Sequence, residues 1–432
     1  MRLRTILLLL VLPFFAACHV TNRQEKNLAD KILQDNDLDT VVTMAENILK
    51  GGFSAGDGYK EIWIRDFNTF MDLALEVHDK EMIREKLLIF FDFQGEDGNI
   101  IDAYIPKEKI TPGGYNYIYS DLQPGLAAHK NNVETDQESS LIQAIHKYIR
   151  HTGDKEILNL RVAGETIVHR MEKAMQYLMD YRYNDRYGLI YGATTADWGD
   201  VQPETRTGVV ITDSTHYAID IYDNAMLVIA LKNFLEIVPE STKKWKPILE
   251  RLENNIREYL WDNEKQKFHP HLYLDGSPFP PDYDEDMIYY QGGTAVAIEA
   301  GLLTKEEVKT SLDKMIANVR AAEAASIGLS LYPAYPEGFF KHPMLNKPYT
   351  YQNGGDWTWF GARMIQQLVN YGLVGEAYEQ IQPFLERVIK NDGFYEWYTL
   401  DNQPRGSSSY RGSAGVLYDA IVLLKKWAEQ IQ

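Results

Sequence analysis

Apolar residues recur along this chain at the three- and four-residue spacing of amphipathic helices. The pattern predicts helices near 26–34, 38–50, 66–78, 80–92, 134–152, 155–182, 214–237, 241–260, 286–300, 304–320, 356–372, 375–390 and 411–430. They come in pairs. Short joints such as His78-Asp79, Thr152-Gly153-Asp154 and Gly301-Leu302-Leu303 separate the members of a pair. Thr304, followed by Glu306 and Glu307, suits an N-cap with an acidic first turn. Longer loops rich in Gly, Pro and Tyr join one pair to the next, over 93–133, 183–213, 262–285, 321–355 and 391–410. Short turns at one end and long loops at the other are what a closed ring of helical hairpins requires. Strand signals are few: 188–191 and 269–274 read as short hairpin arms inside loops. The expected fold class is all-α.

The ends and the composition narrow this. Arg2 and Arg4 precede an apolar run from Thr5 to Ala17, which ends in Phe15-Ala16-Ala17-Cys18. A basic start, a short apolar core and small residues before a cut describe a secretory signal. The run is shorter than the roughly 20 residues of a membrane-spanning helix. Small residues before Cys18 resemble the bacterial lipobox, so residues 1–18 are expected to be a lipoprotein signal with Cys18 lipidated. Residues 19–26 read as a tether, and 27–432 as one catalytic domain, since no Gly- or Pro-rich linker divides it. The expected address is the bacterial cell envelope, with the membrane reached only through the lipid. Cys18 is the only cysteine, which excludes an intrachain disulfide and leaves no thiol for catalysis. A net charge of −18 argues against nucleic acid, whose phosphates need concentrated Lys and Arg. There are 28 Tyr and 8 Trp, many of them beside Asp, Asn, Gln and Gly rather than in apolar stripes. Aromatic planes ringed by carboxylates and amides suit sugars, which present flat C–H faces rimmed by hydroxyls.

Four polar–aromatic clusters stand in the long loops or at helix starts. Trp63-Ile64-Arg65-Asp66 comes first; Asp66 read alone is an N-cap, while together Trp63, Arg65 and Asp66 would floor a sugar site. Asp197-Trp198-Gly199-Asp200 sets two carboxylates around a Trp. An aromatic wall and a neighbouring carboxylate raise a pKa as a catalytic acid requires; the plain alternative is an acidic turn suited to calcium. Tyr349 to Trp359 packs amides and aromatics before a helix, with Asn353, Asp356 and Trp357 among them. Glu396 stands amid Phe394, Tyr395, Trp397 and Tyr398. Two distant carboxylates brought together fit glycoside hydrolysis. No His pair has zinc spacing and no Gly-rich phosphate loop follows a strand, so no cofactor is expected; structural calcium is not predicted.

In order and spacing, the clusters resemble the six-hairpin glycosidases: glucoamylases, glycogen-debranching α-glucosidases, trehalases, processing α-glucosidase I and the related disaccharide phosphorylases. The resemblance covers about 59–425. It implies an (α/α)6 toroid and an inverting hydrolase of oligosaccharides or polysaccharide fragments, exo-acting and α-glucosidase-like. Trp63-Ile64-Arg65-Asp66 is similar to the W-x-R-D that opens the sugar site. Asp136-Gln137-Glu138 looks like the second hairpin's contribution, and Tyr222-Asp223-Asn224-Ala225 resembles a Tyr-Asn-Ala run. Asn353-Gly354-Gly355-Asp356-Trp357 resembles an N-G-x-x-W loop. Gln137, Glu138, Trp198, Tyr222, Asn224, Asn353, Asp356, Trp357 and Tyr395 thereby join the expected substrate-binding set. Trp198-Gly199-Asp200 resembles the W-x-D holding the general acid, which implies Asp200 as acid with Asp197 auxiliary, or the two exchanged. Tyr395-Glu396 is similar to the stretch carrying the general base, which makes Glu396 the base. Arg411-Gly412-Ser413 departs from the family's Trp-Ser-Ala run. A phosphorylase, a non-catalytic sugar-binding lipoprotein and an unsaturated-uronide hydrolase on the same barrel are the alternatives.

Overall fold

The hydrophobic repeats resolve into fourteen α-helices among the described residues of the computed structural model, which are 12–111 and 115–432, with side chains described from Arg23. They are α1 (Leu12–Leu33), α2 (Asn36–Leu49), α3 (Ile64–Thr69), α4 (Met71–Val77), α5 (Lys80–Asp92), α6 (Gln137–Thr152) and α7 (Ile167–Tyr181). The second half adds α8 (Ile221–Ile237), α9 (Thr242–Asn255), α10 (Gln291–Glu299), α11 (Lys305–Ala322), α12 (Thr358–Asn370), α13 (Val374–Asn391) and α14 (Arg411–Ile431). An inner ring runs from α3 and α4 through α6, α8, α10, α12 and α14, and α14 packs back on α3 and α4 to close it. Helices α5, α7, α9, α11 and α13 lie outside, and α1 and α2 cover α14. The chain is an (α/α)6 toroid.

The two rings differ in patterning for a physical reason. Inner helices are covered all round: α8 buries every residue from Ile221 to Leu231. Outer helices keep one wet face; α13 buries Ala377, Tyr378, Ile381, Phe384, Leu385 and Val388 and exposes Glu379, Glu386 and Lys390. One buried apolar cluster extends from Ala29 to Ala428, and a smaller one, with Phe279, Tyr290, Tyr335 and Phe340, lies under the long loops. Each long loop delivers the chain to the start of an inner helix, so the inner N-termini and the loops share one face.

Several boundaries differ from the sequence expectation. The backbone is helical in one run from Leu12 to Leu33, which includes positions 19–26. The signal reading lies largely outside the described residues, as does the Cys18 side chain; no described helix is long and apolar enough to cross a membrane. The helix expected over 155–182 starts only at Ile167. Ala163 and Gly164 adopt positive φ (47° and 85°) and turn the chain between short strands, Arg161–Val162 and Glu165–Thr166. Asp220 caps α8 by accepting from the Asp223 amide, which ends the strand Tyr217–Ile219 before it. That strand pairs with Leu272–Tyr273, one of the expected hairpin arms, and Leu189–Ile190 pairs with Tyr183–Asn184. Unforeseen was the antiparallel sheet Ile62–Trp63, Ala103–Pro106 and Leu126–His129, because its strands are too short to show alternation.

Asp356 corrects an expectation. It does not line the site; it is buried at the entry to α12, where it accepts from the Ser326 hydroxyl and amide and pairs with Arg387 of α13 at 2.8 Å. Arg387 also donates to Thr358 and packs on Phe384 and Tyr398. Removing one member of a buried ion pair strands the other charge. Arg387→Leu is therefore expected to destabilise the fold by about 3–5 kcal/mol, read as a lowered urea midpoint. A midpoint within error of wild type would show the pair to be dispensable.

Candidate active site

A cavity of about 520 Å³ opens on the loop face of the ring. Its buried floor carries Arg65, Asp66, Trp198, Trp357, Trp359, Glu396 and Tyr410. The strand Ile62–Trp63 feeds directly into α3, and Trp63, not Asp66, takes the N-cap position. Asp66 is thus free of capping and faces the cavity. Tyr410 hydrogen-bonds its carboxylate, its Oδ1 has no partner among the described residues, and burial pushes its pKa up to about 7.

Arg65 is the hub. Its Nε and Nη2 donate to Asp136 at 2.6 and 3.1 Å, Nη2 also meets Glu134 at 2.7 Å, and Nη1 reaches Asp200 at 2.5 Å. Tyr222 stacks its ring 5.7 Å from the guanidinium and donates its hydroxyl to Asp136. Asp136 stands at the N-cap of α6 yet makes no capping bond, because its carboxylate is turned to Arg65. One guanidinium facing three carboxylates leaves negative charge in excess. Burial, with the surrounding carboxylates adding to it, raises the pKa of Glu134 and of nearby Asp102.

Asp200 is held on both oxygens, by Arg65 and by Gln352, which donates at 2.9 Å, yet its side chain stays 32% exposed to the cavity. Glu396 comes from a different loop, just before the strand Trp397–Tyr398. Tyr59 donates to its Oε1 at 2.9 Å and the Ser407 amide to its Oε2 at 3.3 Å. Burial nevertheless pushes its pKa up, with Asp200's charge adding to the rise. Gly406 has φ of 73°, and a Cβ there would lie 2.3 Å from the Glu396 carboxylate, so the glycine is what lets the turn pass behind it. Tyr351, another wall of the cavity, takes a strained positive φ of 48°.

The structure sorts the expected residues. Trp63, Arg65, Asp66, Trp198, Asp200, Trp357 and Glu396 line the cavity. Asp197 does not. It turns away beneath Trp198 and accepts from the Gly292 and Gly293 amides at 2.7 and 2.8 Å, anchoring the start of α10, while burial pushes its pKa up to about 8. A carboxylate bound to two amides under a Trp is positioned to hold the loop, not to meet substrate. Glu138 pairs with Lys130 and the Ile100 amide; Gln137 binds the Asn131 carbonyl and Glu134. Asn224 satisfies Ile190 and Asp220, and Asn353 the Tyr335 backbone. Tyr222 supports Arg65, and Tyr395 stands outside the cavity lining. None of these six lines the cavity.

Sequence reasoning missed Tyr59, Asp102, Lys130, Asn131, Glu134, His342 and Tyr410. Tyr351 and Trp359 lay in a noted cluster but were not singled out. Asn131 and Glu134 precede the flagged Asp136, which was the available signal. Asp102 and Tyr59 stand in unremarkable stretches.

Residues 39–348 match the family model for the glycosyl hydrolase 94 superfamily, catalytic domain. The match includes Arg65 and Asp200 and ends before Glu396. Among solved structures, the GH63 mannosylglycerate hydrolase from Thermus thermophilus, with Tris and D-glycerate, is 17% identical at a TM-score of 0.63, covering 88% of this chain and 99% of that one. A rhamnosidase from Klebsiella oxytoca with rhamnose bound is 13% identical at a TM-score of 0.56, covering 89% and 63%. The GH78 family rhamnosidase of a Bacillus species is 15% identical at 0.57, covering 89% and 34%. No curated protein matches in sequence.

The raised Asp66 pKa gives a signed expectation. A carboxyl that binds its proton more tightly when folded favours folding below its unfolded pKa of about 3.9. That advantage disappears as pH rises through about 7. Asp66→Asn should therefore gain stability relative to wild type between pH 4 and 7 and hold the gain above it, measured by urea unfolding across pH. A difference independent of pH would contradict the assignment.

Proposed function

The chain belongs to the glycosyl hydrolase 94 superfamily, and from that membership we propose that it is an inverting, exo-acting glycoside hydrolase of α-glucosidase-like activity, with Asp200 as general acid and Glu396 as general base. The observation that carries the reading is that these two carboxyls, from loops far apart in sequence, line one aromatic-walled cavity. A non-catalytic sugar-binding role would not need both to face the same space. Water held by Glu396 attacks the anomeric carbon and gives its proton to the Glu396 carboxylate. Asp200 protonates the departing glycosidic oxygen from the other side. Inversion calls for carboxyls about 6.5–9.5 Å apart.

Charge supports hydrolysis of a neutral sugar. The lining holds Asp66, Asp102, Glu134, Asp200 and Glu396 against Arg65 and Lys130, and both cations are already paired with carboxylates. Phosphate or a uronate would find no unpaired Lys or Arg among the described residues that line the cavity. Phosphorolysis and uronide hydrolysis are correspondingly disfavoured, and turnover is expected without added phosphate. A cavity of about 520 Å³ is of small-molecule size and suits the end of a chain. The proposal includes export and anchoring at Cys18 in the cell envelope, on the strength of Phe15-Ala16-Ala17-Cys18.

Asp200→Asn and Glu396→Gln are each expected to lower kcat/KM by at least about 100-fold on a panel of α- and β-linked oligosaccharides. Full activity in both would remove these residues from the chemistry. NMR of the first product should show the anomer opposite to the substrate's; the same anomer would mean retention. Tyr59 donates to the charged form of Glu396, so Tyr59→Phe should move the acidic limb of the pH–rate profile upward. An unmoved limb would assign it to another group. In the intact cell, Cys18→Ser should abolish fatty-acid labelling and release the protein from the membrane fraction; continued labelling would place the anchor elsewhere.

A further inference from the structure

The cavity changes character from floor to mouth. Tyr115, Ile118, Val210 and Met344 line it and are 39%, 39%, 45% and 45% exposed, which places them at its solvent edge. Val209 stands beside them, half-buried. Scattered exposed apolar residues are ordinary on a protein surface. Here they come from three separate loops, around 115–118, 209–210 and 344, and meet on one opening. Tyr115 is fixed by stacking on His129, with ring centroids 3.9 Å apart and planes 3° from parallel. The carboxylates and the tryptophans lie deeper, most of them under 9% exposed.

We propose that this collar is an apolar aglycone subsite, so that the substrate is a neutral sugar joined to a hydrophobic group, with the sugar on the polar floor and the aglycone between Ile118, Val210 and Met344. The inference rests on the glycosidase reading above. A second sugar seated at the collar would bury hydroxyls against isopropyl and thioether groups, at a cost in unmade hydrogen bonds. Asn116, Asn132 and His342 are the polar exceptions on the rim, and burial lowers the His342 pKa. An alkyl or aryl group loses no hydrogen bonds there and removes the collar from water.

The test measures binding as well as turnover. Methyl and n-hexyl α-D-glucopyranosides, α-D-mannopyranosides and α-L-rhamnopyranosides are titrated calorimetrically into wild type and into the triple variant Ile118→Asn, Val210→Thr, Met344→Gln, and their hydrolysis is followed in parallel. Alkyl chains vary apolar contact with little change in leaving-group chemistry. Each buried methylene tightens binding about four-fold, so hexyl should exceed methyl by at least about 10-fold in wild type. In the triple variant that ratio should fall toward one. The three positions are exposed, and a thermal melt matching wild type certifies the fold. Equal binding of methyl and hexyl in wild type overturns the collar, even where the sugar is hydrolysed. A length dependence that survives in the triple variant also overturns it. Length-dependent binding with no hydrolysis of any pair would sink the hydrolase reading and leave the collar standing.

Discussion

The ion cluster around Arg65 is the constraint on which the site depends. A guanidinium buried to 7% exposure is tolerable only if its donors are met, and three carboxylates meet them. Those carboxylates come from the approach to α6 and the loop before α8, while α8 itself lends Tyr222. One side chain on α3 therefore ties three hairpins of the ring together at the face where their loops converge. Burial first, and the neighbouring carboxylates after it, raise the pKa of Asp66, Asp102 and Glu134 around it.

Acidic residues of similar local appearance have divided into two kinds. Asp66, Asp200 and Glu396 face the cavity, whereas Asp197, Asp220 and Asp356 hold the starts of α10, α8 and α12. The second kind makes the first possible. A long loop has only short ladders of its own, and a buried carboxylate accepting backbone amides or an arginine fixes where it ends. Strained backbone at Asp197 and Tyr351, both at positive φ, falls in these same loops. The closed ring of inner helices supplies the rigidity against which that strain is held.

The cavity is graded in polarity because its depth and its rim are built by different parts of the fold. The floor comes from the starts of inner helices and from the buried stretches of loop that carry Trp198 and Glu396, where buried polar groups find partners. The rim comes from loop tips that no helix covers. In the proposed reading, the sugar meets the first and the group attached to it meets the second.

Helix order, the pairing of helices and the alternation of short and long joints were legible in the sequence, because burial on one face or on all faces writes a local period. So were Trp63, Arg65, Asp66, Asp200 and Glu396, each conspicuous as a charge among aromatics or an aromatic beside charge. The small sheet at Ile62–Trp63 was not legible, since two to four residues carry no period. Nor could the sequence tell Asp197 from Asp200, or foresee that Asp356 would pair with Arg387. The first two stand on either side of one Trp-Gly pair, and the direction of a carboxylate in a loop depends on which amides and cations the rest of the fold brings to it. The chain by itself determined a ring of helical hairpins bearing acidic and aromatic loops. Only the tertiary structure decided which acids face the cavity, because their partners lie on elements that sequence spacing does not connect.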